Sequence, residues 1–154
     1  MFVISDTHGN YILALKAHSL SEQIDIIIHL GDGCSDADLL RELLNVNVIS
    51  VAGNCDLGSS APRELLWECE GKRILLTHGD AYGVKIGLEK LKRRAQEVRA
   101  DLVLFGHSHL ATQELHSNIL FLNPGTMVNS TCQKSYAIVD VLPGGITASL
   151  HSIC

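Results

Sequence analysis

The feature that most constrains the fold is an alternation of short apolar segments with amphipathic segments in the first part of the chain. Residues 2–5, 25–30 and 46–51 predict strands, whereas residues 11–20 and 36–44 predict helices. The order strand, helix, strand, helix, strand is typical of a parallel sheet. Since these strands are apolar on both sides, we expect both faces of the sheet to be covered.

The rest of the chain is richer in predicted strands. Residues 65–69 and 73–77 flank Glu70-Gly71-Lys72 and predict a hairpin, and residues 88–98 carry apolar side chains at helical spacing. Further strands are predicted at residues 102–105, 112–116, 119–122, 136–141 and 146–151. No linker, repeat or low-complexity segment interrupts this pattern. The sequence therefore predicts a single α/β domain over residues 1–154, with a β-rich second half.

Charge and hydropathy exclude several classes of protein. The net charge is −5, whereas proteins that grip a nucleic-acid backbone usually carry an excess of Lys and Arg. We therefore expect a small-molecule substrate and no extended nucleic acid. No apolar run is long enough to span a bilayer, and residues 1–6 lack the features of a signal peptide. These features predict a cytoplasmic protein without membrane contact.

Metal-ligand residue types cluster in five short segments, each at the end of an apolar strand. The segments are Asp6-Thr7-His8, Gly31-Asp32, Gly53-Asn54-Cys55-Asp56, Thr77-His78-Gly79-Asp80 and Gly106-His107-Ser108-His109. The carboxyl ends of parallel strands meet at one edge of a sheet, so we expect the five segments to form one site. Each segment alone is a weak signal, and their order carries the specificity.

These segments contain carboxylate, imidazole and amide donors. The candidate metal ligands are Asp6, His8, Asp32, Asn54, His78, His107 and His109. Seven ligands are too many for one tetrahedral ion, and mixed nitrogen and oxygen donors suit Mn, Fe, Ni or Zn. Two ions that share one bridging carboxylate would use all seven.

The chain resembles the calcineurin-like metallophosphoesterases, and within them the small YfcE-like phosphodiesterases. The resemblance runs from Ser5-Asp6-Thr7-His8 through Asn123-Pro124-Gly125-Thr126, which is nearly the whole chain. It implies a two-sheet αββα sandwich with helices outside. It also implies two divalent metal ions, typically Mn, with Ni, Zn or Fe as alternatives, and hydrolysis of a small phosphodiester.

Carried over residue by residue, the resemblance assigns every candidate ligand a role. It implies that Asp6, His8 and His109 hold one metal, that Asn54, His78 and His107 hold the other, and that Asp32 bridges both. A hydroxide shared by the ions would attack phosphorus in line with the leaving group. Asp32, Asn54, Cys55 and His107 are the residues that we expect to act in catalysis.

Two positions depart from the family pattern. Cys55 stands where many relatives have a His that is thought to protonate the leaving group. A thiol, with a pKa of about 8.5, suits this task less well than an imidazole, with a pKa of about 6.5. We therefore expect weak leaving-group protonation, and the alternative is that Cys55 is a small buried thiol. Asp80 replaces a His that is frequent in the family, and we exclude it from the ligands.

Three other functions remain compatible with the sequence. A retromer subunit with a similar fold has lost key ligands and serves as a protein-binding scaffold. A DNA nuclease of the same superfamily would normally need additional DNA-binding segments. A phosphomonoesterase would need extra cations beside the metals, for which Arg63 and Lys85 are the candidates. A homodimer through the hairpin around Trp67, or a core role for Trp67, is also compatible with the sequence.

Overall fold

The computed structural model describes residues 1–154 and contains ten strands, three α-helices and one short 3-10 turn. The strands are β1 (Phe2–Ile4), β2 (Ile26–His29), β3 (Asn47–Ser50), β4 (Glu64–Cys69), β5 (Lys72–Thr77), β6 (Leu102–Leu104), β7 (Thr112–His116), β8 (Ile119–Asn123), β9 (Lys134–Leu142) and β10 (Gly145–Ile153). The helices are α1 (Tyr11–Ser19), α2 (Cys34–Leu44) and α3 (Glu89–Glu97), and the 3-10 turn covers Asp80–Tyr82. No helix is long and apolar enough to cross a bilayer.

The strands form two five-stranded sheets. Their orders are β10-β9-β1-β2-β3 and β4-β5-β6-β8-β7. In the first sheet β1, β2 and β3 are parallel, and in the second β5, β6 and β8 are parallel. Antiparallel strands complete each sheet. The predicted α/β class and two-sheet sandwich are confirmed.

Apolar layers on both faces of each sheet explain why the central strands read as unbroken apolar runs. Val3 and Leu104 belong to the core between the sheets, which Trp67 joins as a partly buried neighbour. Phe2 packs instead with Ala14 of α1 and other residues of the outer helices α1 and α2. The helix α3 covers the outer face of the second sheet. Each fully buried large aliphatic side chain contributes about 1.5–3 kcal/mol, so these layers fix the sheet register.

Helix α2 begins at Cys34, two residues before the position that the sequence predicts. No side chain within the helix caps its N-terminus. Instead, the carboxylate of the distant Asp56 accepts hydrogen bonds from the N–H groups of Gly33 and Cys34. A negative charge is favourable at this end of a helix. The predicted start of α2 was wrong because the capping carboxylate belongs to the loop after β3, which is distant from α2 in the sequence.

Candidate metal centre

The loops after β1 and β6 bring together the three residues predicted to hold the first metal. His109 Nε2 lies 3.0 Å from Asp6 Oδ1, and His8 Nε2 lies 4.0 Å from the same oxygen. All three donor atoms lie within 4.8 Å of one another. Asp6 is fully buried, whereas the side chains of His8 and His109 are 29% and 37% exposed. The group therefore opens to solvent on its imidazole side.

A second group lies next to the first and is joined to it through Asp32. His78 Nε2 lies 3.4 Å from Asp32 Oδ2, and His107 Nδ1 lies 3.2 Å from His78 Nε2. Asp32 Oδ2 is also 3.7 Å from His8 Nε2. Asp32 thus lies between the two groups of imidazoles, where a bridging carboxylate would have to be.

Each carboxylate has one oxygen bound by protein donors and one turned toward the imidazoles. Asp6 Oδ2 accepts hydrogen bonds from the Ser5 hydroxyl at 2.6 Å and from the His107 backbone N–H at 3.1 Å. Asp32 Oδ1 accepts one from the Cys55 backbone N–H at 2.8 Å. The other oxygens, Asp6 Oδ1 and Asp32 Oδ2, face histidine nitrogens. The protein therefore orients both carboxylates and leaves one oxygen of each available.

The unpaired carboxylate oxygen of Asp6, Oδ1, indicates whether these residues fit a metal. Asp6 Oδ1 is buried and has no hydrogen-bond partner, although leaving such an atom unpaired is costly. Two ligand atoms that each lie about 2.1 Å from one ion are about 3 Å apart when the ligand–ion–ligand angle is a right angle. This distance is close to the separation of Asp6 Oδ1 and His109 Nε2. Carboxylate oxygen with imidazole nitrogen suits divalent transition metals. The residues fit such an ion.

A buried hydrogen bond sets the tautomer of His78. Its Nδ1 lies 2.7 Å from the backbone oxygen of Leu30, which can only accept, so Nδ1 carries the proton. The lone pair then resides on Nε2, which faces Asp32. This pairing of a backbone carbonyl with the far nitrogen is the usual support for a metal-binding histidine.

The loop after β3 carries two predicted site residues that are exposed. The side-chain nitrogen of Asn54 lies 3.4 Å from Cys55 Sγ, and its place in the second ligand group stays a prediction. Cys55 Sγ forms a cluster with His8 and Asp32. Cys55 is exposed, so the alternative of a buried packing thiol is wrong. Hydrogen bonding to the Asp32 carboxylate, followed by partial burial, raises the pKa of the Cys55 thiol.

Five of the seven candidate ligands have a left-handed backbone conformation. Their φ angles are 53° at Asp6, 46° at His8, 55° at Asp32, 65° at His107 and 62° at His109. Non-glycine residues rarely adopt such angles, and each instance costs on the order of 1–3 kcal/mol. Sequence reasoning missed this feature, because no residue type in the pattern requires it.

Asp56 holds the loops after β2 and β3 together. Its carboxylate accepts four backbone hydrogen bonds, from the N–H groups of Asp32, Gly33, Cys34 and Gly53, at 2.7–2.9 Å. Burial acts to raise the pKa of Asp56, but these donors outweigh it and the pKa is lowered. Asp56 therefore orients the backbone of both loops.

A second buried network holds the loops after β1 and β2. The N–H of Gly31 donates to His29 Nδ1, so His29 Nε2 carries the proton and donates to Thr7 Oγ1 at 3.0 Å. The Thr7 hydroxyl then donates to Asp36, which also accepts from the Gly9 N–H. Burial lowers the pKa of His29, which favours the neutral ring that this chain of donors requires. The roles of Thr7 and Asp36 were not predictable from residue type and spacing.

Close contact between loops explains one glycine of the motifs. A Cβ atom at Gly53 would lie 2.1 Å from Asp32 Oδ1 and 2.5 Å from the Asp32 backbone nitrogen. A side chain there would displace the carboxylate that joins the two ligand groups. Gly53 is therefore required for space and not for a positive φ.

Two cations lie near the centre, and one of them is already paired. The Arg63 guanidinium donates to the Gly53 backbone oxygen at 2.6 Å and forms an ion pair with Asp80. Asp80 is absent from the ligand clusters, in agreement with its exclusion from the predicted ligands. Burial lowers the pKa of His107, and the positive charge of Lys85 lowers it further. Lys85 is exposed and adds positive charge beside the second ligand group.

Comparisons with known proteins agree with this geometry. A family model described as the calcineurin-like phosphoesterase superfamily domain matches residues 1–143. The chain is 35% identical over 144 residues to the probable metallophosphoesterase YsnB of Bacillus subtilis, which covers 92% of this chain and 83% of the relative. It is 31% identical over 149 residues to the phosphodiesterase YfcE of Escherichia coli, and the match covers 80% of this chain and 76% of the relative.

A solved structure shares the fold at lower identity. Vacuolar Protein Sorting 29 from Cryptosporidium parvum superposes with a TM-score of 0.74 at 20% identity, over 99% of this chain and 96% of that one. At this identity the similarity shows the fold alone. The same sandwich therefore occurs in proteins with different assigned roles, and function has to be argued from the residues of the centre.

Proposed function

Because the chain belongs to the calcineurin-like phosphoesterase superfamily, we propose that it is a metal-dependent phosphodiesterase acting on a small phosphodiester. The observation that carries the proposal is the buried Asp6 Oδ1, which has no hydrogen-bond donor and faces His109 Nε2 at 3.0 Å. A protein without use for a cation would gain stability by pairing or removing such an oxygen.

The proposed centre contains two divalent ions, with Mn as the expected metal. The residues that would hold them are Asp6, His8 and His109 for one ion, Asn54, His78 and His107 for the other, and Asp32 for both. When bound there, the ions would lower the pKa of water to near neutrality and offset charge on the phosphate oxygens. The distances between Asp32 Oδ2 and the histidines on either side support the bridging role.

The residues of the chain prepare this centre before any ion binds. The hydroxyl of Ser5 and the Cys55 N–H orient the two carboxylates, and Leu30 fixes the protonation of His78. Such fixed orientation reduces the ordering that binding would otherwise require. The thiol of Cys55, beside His8 and Asp32, is the group proposed to face the leaving group.

The arrangement of cations favours a diester over a monoester. A monoester carries an additional negative charge and would benefit from two free cations. Arg63 is already neutralised by Asp80, which leaves Lys85 to act on the second ligand group. One free cation matches the single negative charge of a diester.

The scaffold alternative draws on the similarity to Vacuolar Protein Sorting 29, which extends to the fold alone. A scaffold has no need for strained, buried ligand geometry, so the left-handed conformations at Asp6 and Asp32 favour the enzyme. Binding of metal without any turnover would support the scaffold instead.

Activity of metal-stripped protein after reconstitution tests the proposal. Mn, Ni, Zn and Mg should be added back separately, with bis(p-nitrophenyl) phosphate compared with p-nitrophenyl phosphate. We expect the highest kcat/KM with Mn and the diester. The variant His109→Gln should lose this activity, whereas His116→Gln, on the edge strand β7, should retain it. A protein that binds none of the four ions, or hydrolyses neither ester, would overturn the assignment.

A further inference from the structure

A third group of ligand residues overlaps both of the groups described above. His8, Asp32 and Cys55 each offer one donor atom, and these atoms lie within 4.8 Å of one another. The group shares His8 and Asp32 with the proposed pair of ions, but it adds the sulfur of Cys55, which that pair does not use. Cys55 is the only one of the five cysteines that belongs to such a group. We call these three residues the cysteine cluster.

The distance between two donors of the cysteine cluster suits a tetrahedral ion. Two ligand atoms that each lie about 2.1 Å from one ion are about 3.4 Å apart when the ligand–ion–ligand angle is tetrahedral. His8 Nε2 and Asp32 Oδ2 are 3.7 Å apart, close to this value. Asp6 Oδ1 and His109 Nε2, in contrast, are 3.0 Å apart, which fits the right angle of an octahedral ion. The two clusters that share His8 therefore favour different coordination geometries.

The surroundings of Cys55 suit a sulfur bound to metal. The side-chain amide of Asn54 donates a hydrogen bond to Cys55 Sγ at 3.4 Å, and donors of this kind orient and stabilise a ligand atom. Cys55 is exposed and the side chain of His8 is 29% exposed, so an ion and a completing water can reach the cluster. One thiolate and one carboxylate together balance the charge of a divalent ion, and the neutral imidazole completes the protein donors.

We propose that the cysteine cluster binds Zn in place of the ion expected at Asp6, His8 and His109. A thiolate selects Zn, whereas Mn favours oxygen donors. The Nε2 atom of His8 faces both carboxylates but has one lone pair, so it binds one ion at a time. Zn replaces the proton of the Cys55 thiol, and this proton leaves to solvent.

Occupation of the cysteine cluster by Zn has a consequence for the proposed function. It removes His8 from the Mn pair and Cys55 from the leaving group, so Zn should inhibit the protein that Mn activates. The inhibition rests on the proposed phosphodiesterase function, whereas the binding of Zn does not.

Cobalt reports directly whether Cys55 binds an ion. Co substitutes for Zn in tetrahedral sites, and a thiolate bound to it gives an intense charge-transfer absorption in the near ultraviolet. Metal-free, fully reduced protein should develop this band when it is titrated with Co, and added Zn should remove the band. The variant Cys55→Ser should lack the band, whereas the control Cys132→Ser, which removes another exposed cysteine, should keep it.

Two further measurements separate the cysteine cluster from the group that contains Asp6. The variant His109→Gln removes a ligand of that group but no member of the cysteine cluster, so it should keep the cobalt band. Titration calorimetry gives the affinities for Zn and Mn. The ratio of Zn affinity to Mn affinity should fall by about tenfold or more in Cys55→Ser, because Zn alone loses a ligand. In the parent protein, Zn should displace bound Mn, which electron paramagnetic resonance detects as free Mn.

The possible outcomes separate this inference from the proposed function. No cobalt band in the parent protein, or an equal band in Cys55→Ser, overturns the cysteine cluster as a Zn site. Loss of the band in Cys132→Ser would assign it to another thiol, and loss in His109→Gln would assign Cys55 to the ion beside Asp6; either result overturns the proposal. A protein that shows the expected band but hydrolyses no ester with Mn would retain this inference and lose the proposed function. Hydrolysis with Mn in a protein without the band would do the reverse.

Discussion

Asp6, in the loop after β1, is fully buried, whereas Asn54 and Cys55, in the loop after β3, are exposed. Both loops belong to the same centre, but the chain holds them differently. The first loop is fixed by several buried contacts, including the hydroxyl groups of Ser5 and Thr7. The second is tied to its neighbour through the carboxylate of Asp56.

The two loops therefore differ in how firmly they are held: the loop after β1 is buried, and the loop after β3 carries exposed side chains. The buried loop presents an oriented carboxylate and leaves it without a hydrogen-bond donor at Oδ1. The exposed loop presents the side chains of Asn54 and Cys55 to solvent, while its backbone is held at Gly53 and Cys55 and by the carboxylate of Asp56. Disruption of the buried loop should therefore abolish metal binding, whereas changes in the exposed loop should alter how the reaction depends on the substrate.

The largest effect is expected for Asp6→Asn. Loss of the charged oxygen should reduce kcat/KM by about 10³-fold or more, because several kcal/mol of metal-dependent stabilisation disappear. In the parent protein, Mn at one hundred times its Kd should stabilise the fold by about 2.7 kcal/mol, and Tm should rise by about 5–10 °C. The variant should lose this rise.

Differential scanning calorimetry with and without Mn measures the effect of Asp6→Asn. The matched control is Asp38→Asn, since Asp38 is 67% exposed and paired only with Arg41 on the surface of α2. If Asp6→Asn kept the full Mn-dependent rise in Tm, Asp6 would not be a ligand, and the distinction between the two loops would be lost.

An intermediate effect is expected for Asp56→Asn. One amide oxygen cannot replace the carboxylate that accepts four N–H groups, so the variant should lose about 1–3 kcal/mol of unfolding free energy. Mn affinity should fall by about 10–100-fold, as is typical when a residue that orients ligands is removed. Titration calorimetry measures the affinity and urea unfolding measures the stability.

The same variant gives a prediction for pH. The pKa of Asp56 is lower in the folded protein than its unfolded value of about 3.9, so its stabilising contribution is present above that pH and is lost as the pH falls through the folded pKa. The stability difference between the parent and Asp56→Asn should therefore shrink in acid. A difference that grew toward low pH would contradict the anchoring role.

The smallest effect is expected for Cys55→His. An imidazole is better suited than a thiol to protonate a leaving group, and general acids contribute about 10²–10⁴-fold when well placed. We expect partial recovery, about tenfold in kcat/KM for alkyl leaving groups and little change for p-nitrophenyl. Cys55→Ser, which has no suitable acid, should resemble or fall below the parent protein. Equal rates for good and poor leaving groups in the parent would show that the hypothesis of weak protonation is wrong.

The fold and the convergence of the site were predictable because both follow from local pattern. Apolar periodicity located β1, α1 and the strands of the second half to within a few residues. The rule that carboxyl ends of parallel strands share one edge accounts for Asp6 and Asp32, which follow β1 and β2 of the first sheet. His78 follows β5 of the second sheet, so its approach to both carboxylates also depends on how the two sheets pack, which the rule does not describe.

The remaining features depend on contacts between distant segments. Asn10 illustrates this, since it occupies the N-cap position of α1 but its side chain does not cap the helix and instead donates to the Met127 backbone oxygen at 2.7 Å. The anchoring by Asp56 and the chain of hydrogen bonds through Thr7 likewise join different loops. Residue type and spacing describe a single segment, so they carry no information on which partner a polar side chain will find.

The left-handed backbone at Asp6, His8, Asp32, His107 and His109 has a consequence for laboratory evolution. Glycine accepts this conformation without steric strain, so a library screened for thermal resistance alone would be expected to sample it at the partly exposed His8, His107 and His109, whereas Asp6 and Asp32 also accept hydrogen bonds that glycine would remove. Selection for thermal stability and selection for catalytic activity would then favour different residues at the same positions. Engineering of this protein for thermal stability should therefore leave those five positions unchanged.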